Sequence, residues 1–321
     1  MSFCRSSSSR SVASLASTGI YISGMKMRRK CTSSFCLTLC MLLASGVHAS
    51  GKVSSFYADF DQAVWRTESS IFECSLAQQI PGLGEAVFYH QAGETLSFLL
   101  RTDENPMLAG KALLTSQPPL WRNDLPVRDL GFVDVASTNP LVNLDAARSR
   151  LMLAELDRGM VPTLMRRAWY SEDESVHVGI SPVNFGTAFQ EYTQCTGELL
   201  PVNFGQIERS TVFWRSGQRE LDDAMRKQLD DIVTYVKADP RVYQFEINGF
   251  TDGSGNPRDN LEFSRIRAYA IHEYLLSRGI DENMLATRFF GSTPEFRIVR
   301  DERSAADRDR NRRVTIRLLR E

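Results

Sequence analysis

Opposite charges stand at a defined spacing near the end of this 321-residue chain. Asp252 closes a stretch of alternating residues and opens the Gly253-Ser254-Gly255 turn, and Arg267 follows on the next helical stretch. A carboxylate can accept hydrogen bonds from an ammonium group, and a guanidinium can fork onto a carboxylate in a geometry that lysine does not match. The pair therefore suits a noncovalent grip on a zwitterion. Asn260, Ser264 and Arg267 lie at i, i+4 and i+7, so a helix carries them on one face. An Arg pair, Arg312 and Arg313, follows at the start of the last strand.

Catalysis fits the same residues poorly. The four His (His48, His90, His177 and His272) are scattered and lack a metal-ligand spacing such as HExxH. No nucleophile stands beside a base, and no CxxC or Cys/His cluster marks a zinc site. A carboxyl beside Arg267 titrates low, the wrong direction for a general acid. The expectation is a binding protein with no catalytic residue, metal or cofactor.

The elements that position these residues form an α+β pattern from Gln206 to Glu321. Ser210 to Trp214 reads as a strand, and Ser216 is placed to cap the helix that follows. That helix carries Leu221, Met225, Leu229, Ile232 and Val236 on one stripe and ends near Pro240. Val242 to Phe250 alternates, with Tyr243, Phe245 and Ile247 on one side. Asp259 and Glu262 form a capping-box signature. Leu261, Ala268, Ile271 and Leu275 supply the buried face of this second helix, and Gly279 ends it. Val314, Ile316 and Leu318 alternate in a final strand.

Residues 50–205 read as mostly antiparallel β, a barrel or sandwich with a few helices. Ile71 to Leu76 and Val176 to Ile180 are strands. Ala86 to Tyr89 and Thr95 to Leu100 form a hairpin around Ala92-Gly93-Glu94. A helix over Leu144 to Leu156 places Leu144, Ala147, Leu151 and Ala154 on one face, and a shorter one runs from Thr187 to Glu198. Pro182-Val183-Asn184-Phe185-Gly186 recurs at Pro201 to Gly205, too few copies for a solenoid and read as a local turn device. Trp65, Trp121 and Trp169 are read as buried aromatics, not docking residues.

Residues 1–49 are read as an N-terminal extension and signal peptide. Met25 to Lys30 is a basic region, Phe35 to Ala44 a short apolar run, and Val47-His48-Ala49 a cleavage site. Residues 1–24 are attributed to a start codon assigned too early. The leader holds four of the six Cys, leaving Cys74 and Cys195 beyond it. One disulfide between them suits an oxidising compartment, and two unrelated buried thiols are the alternative. The leader also holds six of the 38 Lys and Arg and none of the 39 Asp and Glu, so the remainder is acidic overall. That balance argues against a nucleic-acid binder, which needs a basic face.

The stretch 208–320, with Gly249-Phe250-Thr251-Asp252, Arg267 and Asp309-Arg310-Asn311-Arg312-Arg313, resembles the OmpA C-terminal family. The resemblance implies a βαβαββ-type α/β sandwich that holds the diaminopimelate of peptidoglycan. It carries that role to Asp252, Arg267 and Asn260, and extends it to Thr251, Phe213, Ser264 and Arg312. Two departures are Phe250 where the family commonly has His, and Phe289-Phe290-Gly291-Ser292-Thr293-Pro294 at the last loop.

Phe72 to Leu76, Ile80 to Phe88, Ala92 to Phe98, Gly159 to Thr163 and Ser181 to Phe185 resemble the MotY family of sodium-type flagellar motor proteins. That resemblance implies a periplasmic protein of a ring around the flagellar basal body, helping to hold stator units to the wall. Its implied partners are peptidoglycan, the basal body, a MotX-like protein and the stator membrane proteins. It also implies a disulfide between Cys74 and Cys195. Rival readings are a wall-tethered envelope protein outside motility and a peptidoglycan hydrolase.

Overall fold

Period-two alternation of apolar and polar residues builds three sheets in this protein. The structure is a computed structural model and describes residues 51–321 except Asn123. The expected leader, with Cys4, Cys31, Cys36 and Cys40, lies outside the described residues. Among them, no helix is long and apolar enough to cross a membrane.

In chain order the first elements are β1 (Lys52–Phe56), β2 (Trp65–Ser69), β3 (Glu73–Ile80), β4 (Gly84–Gln91), β5 (Ser97–Thr102) and β6 (Gly110–Gln117). They continue with β7 (Arg128–Val135), β8 (Val142–Leu144), α1 (Ala146–Asp157), β9 (Val161–Arg167), β10 (Glu174–Gly179), α2 (Phe185–Glu198) and α3 (Phe204–Ile207). Two five-stranded sheets result, ordered β1-β10-β9-β6-β7 and β2-β3-β4-β5-β8. Only β1 and β10 run parallel. Leu76, Phe88 and Phe98 from one sheet share a core with Leu114, Leu164 and Val178 from the other. This is the sandwich alternative, and each such fully buried side chain contributes about 1.5–3 kcal/mol.

The hairpin β4–β5 turns at Gly93, whose φ of 71° suits glycine. Helix α1 departs from expectation. Leu144 belongs to β8, Ala147 and Ala154 face solvent, and Ser149, Met152, Leu153, Glu155 and Leu156 are buried instead. The buried polar members are satisfied: Ser149 donates to the Asp145 carbonyl, and Glu155 meets Ser116, Arg128 and Arg158. An apolar-periodicity reading misses a face that contains a glutamate. Cys195 of α2 is disulfide-bonded to Cys74 of β3. The repeated Pro-Val-Asn-Phe-Gly precedes a helix both times, with Asn184 and Asn203 at the N-caps of α2 and α3. Trp65 is buried against Phe88 and Phe185, whereas Trp121 and Trp169 are 57% and 63% exposed.

The remaining elements are β11 (Arg209–Phe213), α4 (Asp223–Ala238), β12 (Val242–Phe250), α5 (Pro257–Ser277), β13 (Leu285–Phe289), α6 (Ala305–Asn311) and β14 (Arg313–Arg320). They form a sheet ordered β11-β14-β12-β13, in which only β12 and β13 are parallel. Leu229 and Ile232 of α4 and Ile271 and Leu275 of α5 pack onto Phe245, Ile247 and Ile316.

Helix starts differ from the expected caps. Asp222, not Ser216, caps α4 by accepting from the Met225 amide. Asn256, not Asp259, caps α5, with Pro257 at its first position. Leu261 is 43% exposed. Tyr243 also faces out, because a bulge between Val242 and Gln244 shifts the strand register so that Val242 takes the inward position. The end of α5 matches expectation: the Gly279 amide reaches the Leu276 carbonyl and the Ile280 amide the Leu275 carbonyl, with Gly279 at φ 83°.

Candidate functional site

The site begins where β12 meets α5. A Cβ on Gly249 would lie 2.4 Å from the Ser264 backbone oxygen, so the strand and helix touch at a contact only glycine permits. That approach brings the helix face with Asn260, Ser264 and Arg267 against the end of β12, and all three side chains are buried. Thr251 and Asp252 continue from the strand and are buried as well.

Asn260 and Ser264 hold the scaffold. The Asn260 amide group donates to the carbonyls of Asp252 (3.3 Å) and Ser254 (2.8 Å) and to the Ser292 hydroxyl (3.2 Å). Ser264 accepts from the Gly291 amide at 2.9 Å and donates to the Leu261 carbonyl. The loop after β13, whose sequence departs from the family, is thus tied to the site: Gly291 also accepts from the Thr251 amide at 2.8 Å. Glu302 accepts from the Gly253 amide through both oxygens, at 2.9 and 3.0 Å.

Asp252 is not a free acceptor. One carboxylate oxygen is ion-paired with Arg312, and the other accepts from the Ser254 amide and hydroxyl. Burial alone would raise this carboxyl, but the donors on Ser254 and Arg312 outweigh it and hold it below the usual carboxylate range. Arg312 also pairs with Asp309 and donates to the Trp214 carbonyl. Its neighbour Arg313 lies over the Phe250 ring at 4.3 Å and donates to the Phe296 carbonyl.

Arg267 is 2% exposed, and among the described residues its hydrogen-bond partners are carbonyls, not carboxylates. Its Nε donates to the Gln218 carbonyl at 3.0 Å and one terminal nitrogen to the Arg215 carbonyl at 3.1 Å. Trp214 and Phe263 present rings at 5.6 and 5.5 Å. Burial pushes the guanidinium down to about 10; the Arg312 charge adds to that and the Asp252 charge opposes it. Its Nη1 has no partner. Of the four buried side-chain polar atoms without one among the described residues, three lie here, on Arg267, Thr251 and Trp214. Such orphans are rare in folded proteins and call for an explanation. Arg312 is paired with Asp252 and Asp309, whereas the hydrogen bonds of Arg267 go only to carbonyls, which suits an anionic partner for its guanidinium.

Phe213 is 53% exposed at the end of β11 and lines a neighbouring cavity of about 480 Å³ with Trp214, Arg215, Gln218 and Asp309. Backbone carbonyls at Arg215 and Gln218 are the partners that sequence reasoning missed, since side-chain patterns say nothing of them. Asp309 could have been found from its i, i+3 spacing to Arg312. No group of three or more His, Cys, Asp or Glu suited to a metal occurs among the described residues.

Residues 213–312, which contain this site, match the OmpA family. Residues 56–201 match the MotY N-terminal domain, so the chain joins a stretch similar to that domain to one similar to the OmpA family. It is 26% identical over 284 residues to the sodium-type flagellar protein MotY of Vibrio parahaemolyticus serotype O3:K6 (strain RIMD 2210633), covering 87% of this chain and 94% of that protein. Outer membrane protein A of Serratia odorifera is 27% identical over 88 residues, 27% of this chain and 36% of that protein. Among solved structures, the C-terminal domain of Helicobacter pylori MotB is similar at 24% identity and a TM-score of 0.31, covering 34% of this chain and 82% of that one.

Proposed function

We propose that this protein is a non-enzymatic, periplasmic component of the flagellar motor that binds peptidoglycan through Arg267 and Asp252. The observation that carries the reading is the buried Arg267 guanidinium with an unpartnered Nη1. A ligand carboxylate supplies the missing partner and neutralises a charge that burial otherwise disfavours. The diaminopimelate side chain of Gram-negative peptidoglycan carries a carboxylate and an ammonium on one carbon. Its ammonium then shares Asp252 with Arg312, and Phe213 flanks the mouth. Thr251 offers a hydroxyl beside them, while Asn260 and Ser264 act by holding the loops.

The motor assignment is supported by the MotY N-terminal domain match and the name of the Vibrio relative. In this reading residues 206–321 hold the wall, and residues 50–205 dock on the basal body and a MotX-like partner. Stator membrane proteins are thereby tethered against reaction torque.

Co-sedimentation with purified sacculi tests the site. Asp252→Ala and Arg267→Ala should each lose most retention while circular dichroism stays unchanged; undiminished pelleting of both would overturn it. Deleting the gene should abolish or impair swimming, and intact motility removes the motor role. Release of soluble muropeptides by the purified protein would restore the hydrolase reading.

A further inference from the structure

The outer face of the β1-containing sheet carries a feature that wall binding does not use. Val176, Val178 and Leu164 point into the core, so His177 and Thr163 point outward. The chain after β1 and the chain after β6 rise over this face and enclose a cavity of about 430 Å³. Phe60 is 72% exposed and Trp121 57%, and their rings meet edge to face at 6.2 Å. Tyr57 lies beside Gly179, where a Cβ would come within 3.0 Å of its ring, and its hydroxyl is 3.2 Å from that of Ser181. Aromatic rings left in water at one cleft mark a recognition surface.

The charge of the lining narrows the occupant. Asp59 is its single carboxylate, and no Lys or Arg contributes. Burial pushes His177 down, which favours its neutral form. The aromatic rings of the lining, Phe56, Tyr57, Phe60 and Trp121, together with one carboxylate suit a cation, because the ring quadrupole is negative over its face. We infer that this cavity receives an arginine or lysine side chain presented by a partner protein. A zwitterionic lipid headgroup would bring a phosphate with its cation, and the lining holds no basic residue to meet it.

The test uses the full chain and follows the Trp121 indole N–H resonance by NMR during titration with N-acetyl-arginine amide, N-acetyl-lysine amide and uncharged N-acetyl-norleucine amide. The cationic probes should shift it saturably, and norleucine amide should bind at least about three-fold more weakly. Asp59→Asn should remove that preference, and Phe60→Ala should weaken all cationic binding, both with an unchanged circular dichroism spectrum. Equal binding of the uncharged probe, no saturable shift up to about 50 mM probe, or an unaffected Asp59→Asn variant overturns the inference. So does sedimentation with phosphatidylcholine vesicles that Trp121→Ala abolishes. None of these readouts depends on peptidoglycan, so the wall-binding reading can fail without it.

Discussion

Asp252 and Arg312 are ion-paired across the ends of β12 and β14, and both are less than a tenth exposed. The carboxylate that would take a ligand ammonium is thus already charged, oriented and partnered before any ligand arrives. Arg312 therefore acts through Asp252 as well as on its own. Arg312→Ala leaves a buried carboxylate uncompensated, a change that typically costs about 3–5 kcal/mol. We expect a clear drop in thermal stability together with loss of sacculus retention, measured by calorimetry and co-sedimentation.

The same pair sets an acid limit. The Asp252 carboxyl titrates lower in the folded protein than in the unfolded chain, so its stabilising contribution is complete above the unfolded value, about 3.9. That contribution disappears as pH falls through the lower folded value. Arg312→Lys, which cannot meet Asp252, Asp309 and the Trp214 carbonyl at once as the guanidinium does, should move the acid midpoint of unfolding upward. An unchanged midpoint would show that the pairing does not govern Asp252.

Arg267 poses the opposite trade. It is a buried cation whose hydrogen bonds go to two carbonyls, and burial opposes its charge. Arg267→Met, unbranched and uncharged, should change stability by no more than about 1–2 kcal/mol, since the lost hydrogen bonds and the relieved desolvation partly offset. Sacculus retention should nevertheless disappear. Thermal melts and co-sedimentation on the same sample separate the two effects.

Gly249 tests how the site is assembled. Its missing side chain permits the 2.4 Å approach to the Ser264 backbone, and a backbone atom cannot swing aside. Gly249→Ala should cost about 2–4 kcal/mol by forcing α5 away from β12. It should also weaken wall retention, because Arg267 rides on the displaced helix.

The disulfide closes a separation of 121 residues, for which the chain-entropy model gives a stabilisation on the order of 4–5 kcal/mol. Cys74→Ser should lower the denaturation midpoint under oxidising conditions and leave the reduced wild type nearly matched. Equal midpoints for oxidised wild type and variant would count against that contribution.

Legibility in the sequence followed the range of the interaction. The hairpin at Gly93, the helix end at Gly279 and the apolar stripe of α4 rest on contacts within a few residues, and the chain declares them. The helical spacing of Asn260, Ser264 and Arg267 likewise placed them on one face, and the charge signs of Asp252 and Arg267 raised the expectation of a zwitterion site. Even so, helix starts slid to Asp222 and Asn256, because several nearby residues compete to cap and packing selects among them. The bulge at Val242 and the polar buried face of α1 were hidden for a related reason. Each depends on a partner strand or an arginine far along the chain.

Residue types and spacing determined by themselves that opposite charges would be carried at the end of β12 and along α5. Tertiary structure alone decided what those charges meet: Arg312 returns 60 residues later to occupy Asp252, and the Arg215 and Gln218 carbonyls take two Arg267 donors and leave one free. The reason is that hydrogen-bond satisfaction belongs to the packed interior. Whether a buried donor is spent or spare depends on backbone groups that local pattern does not register.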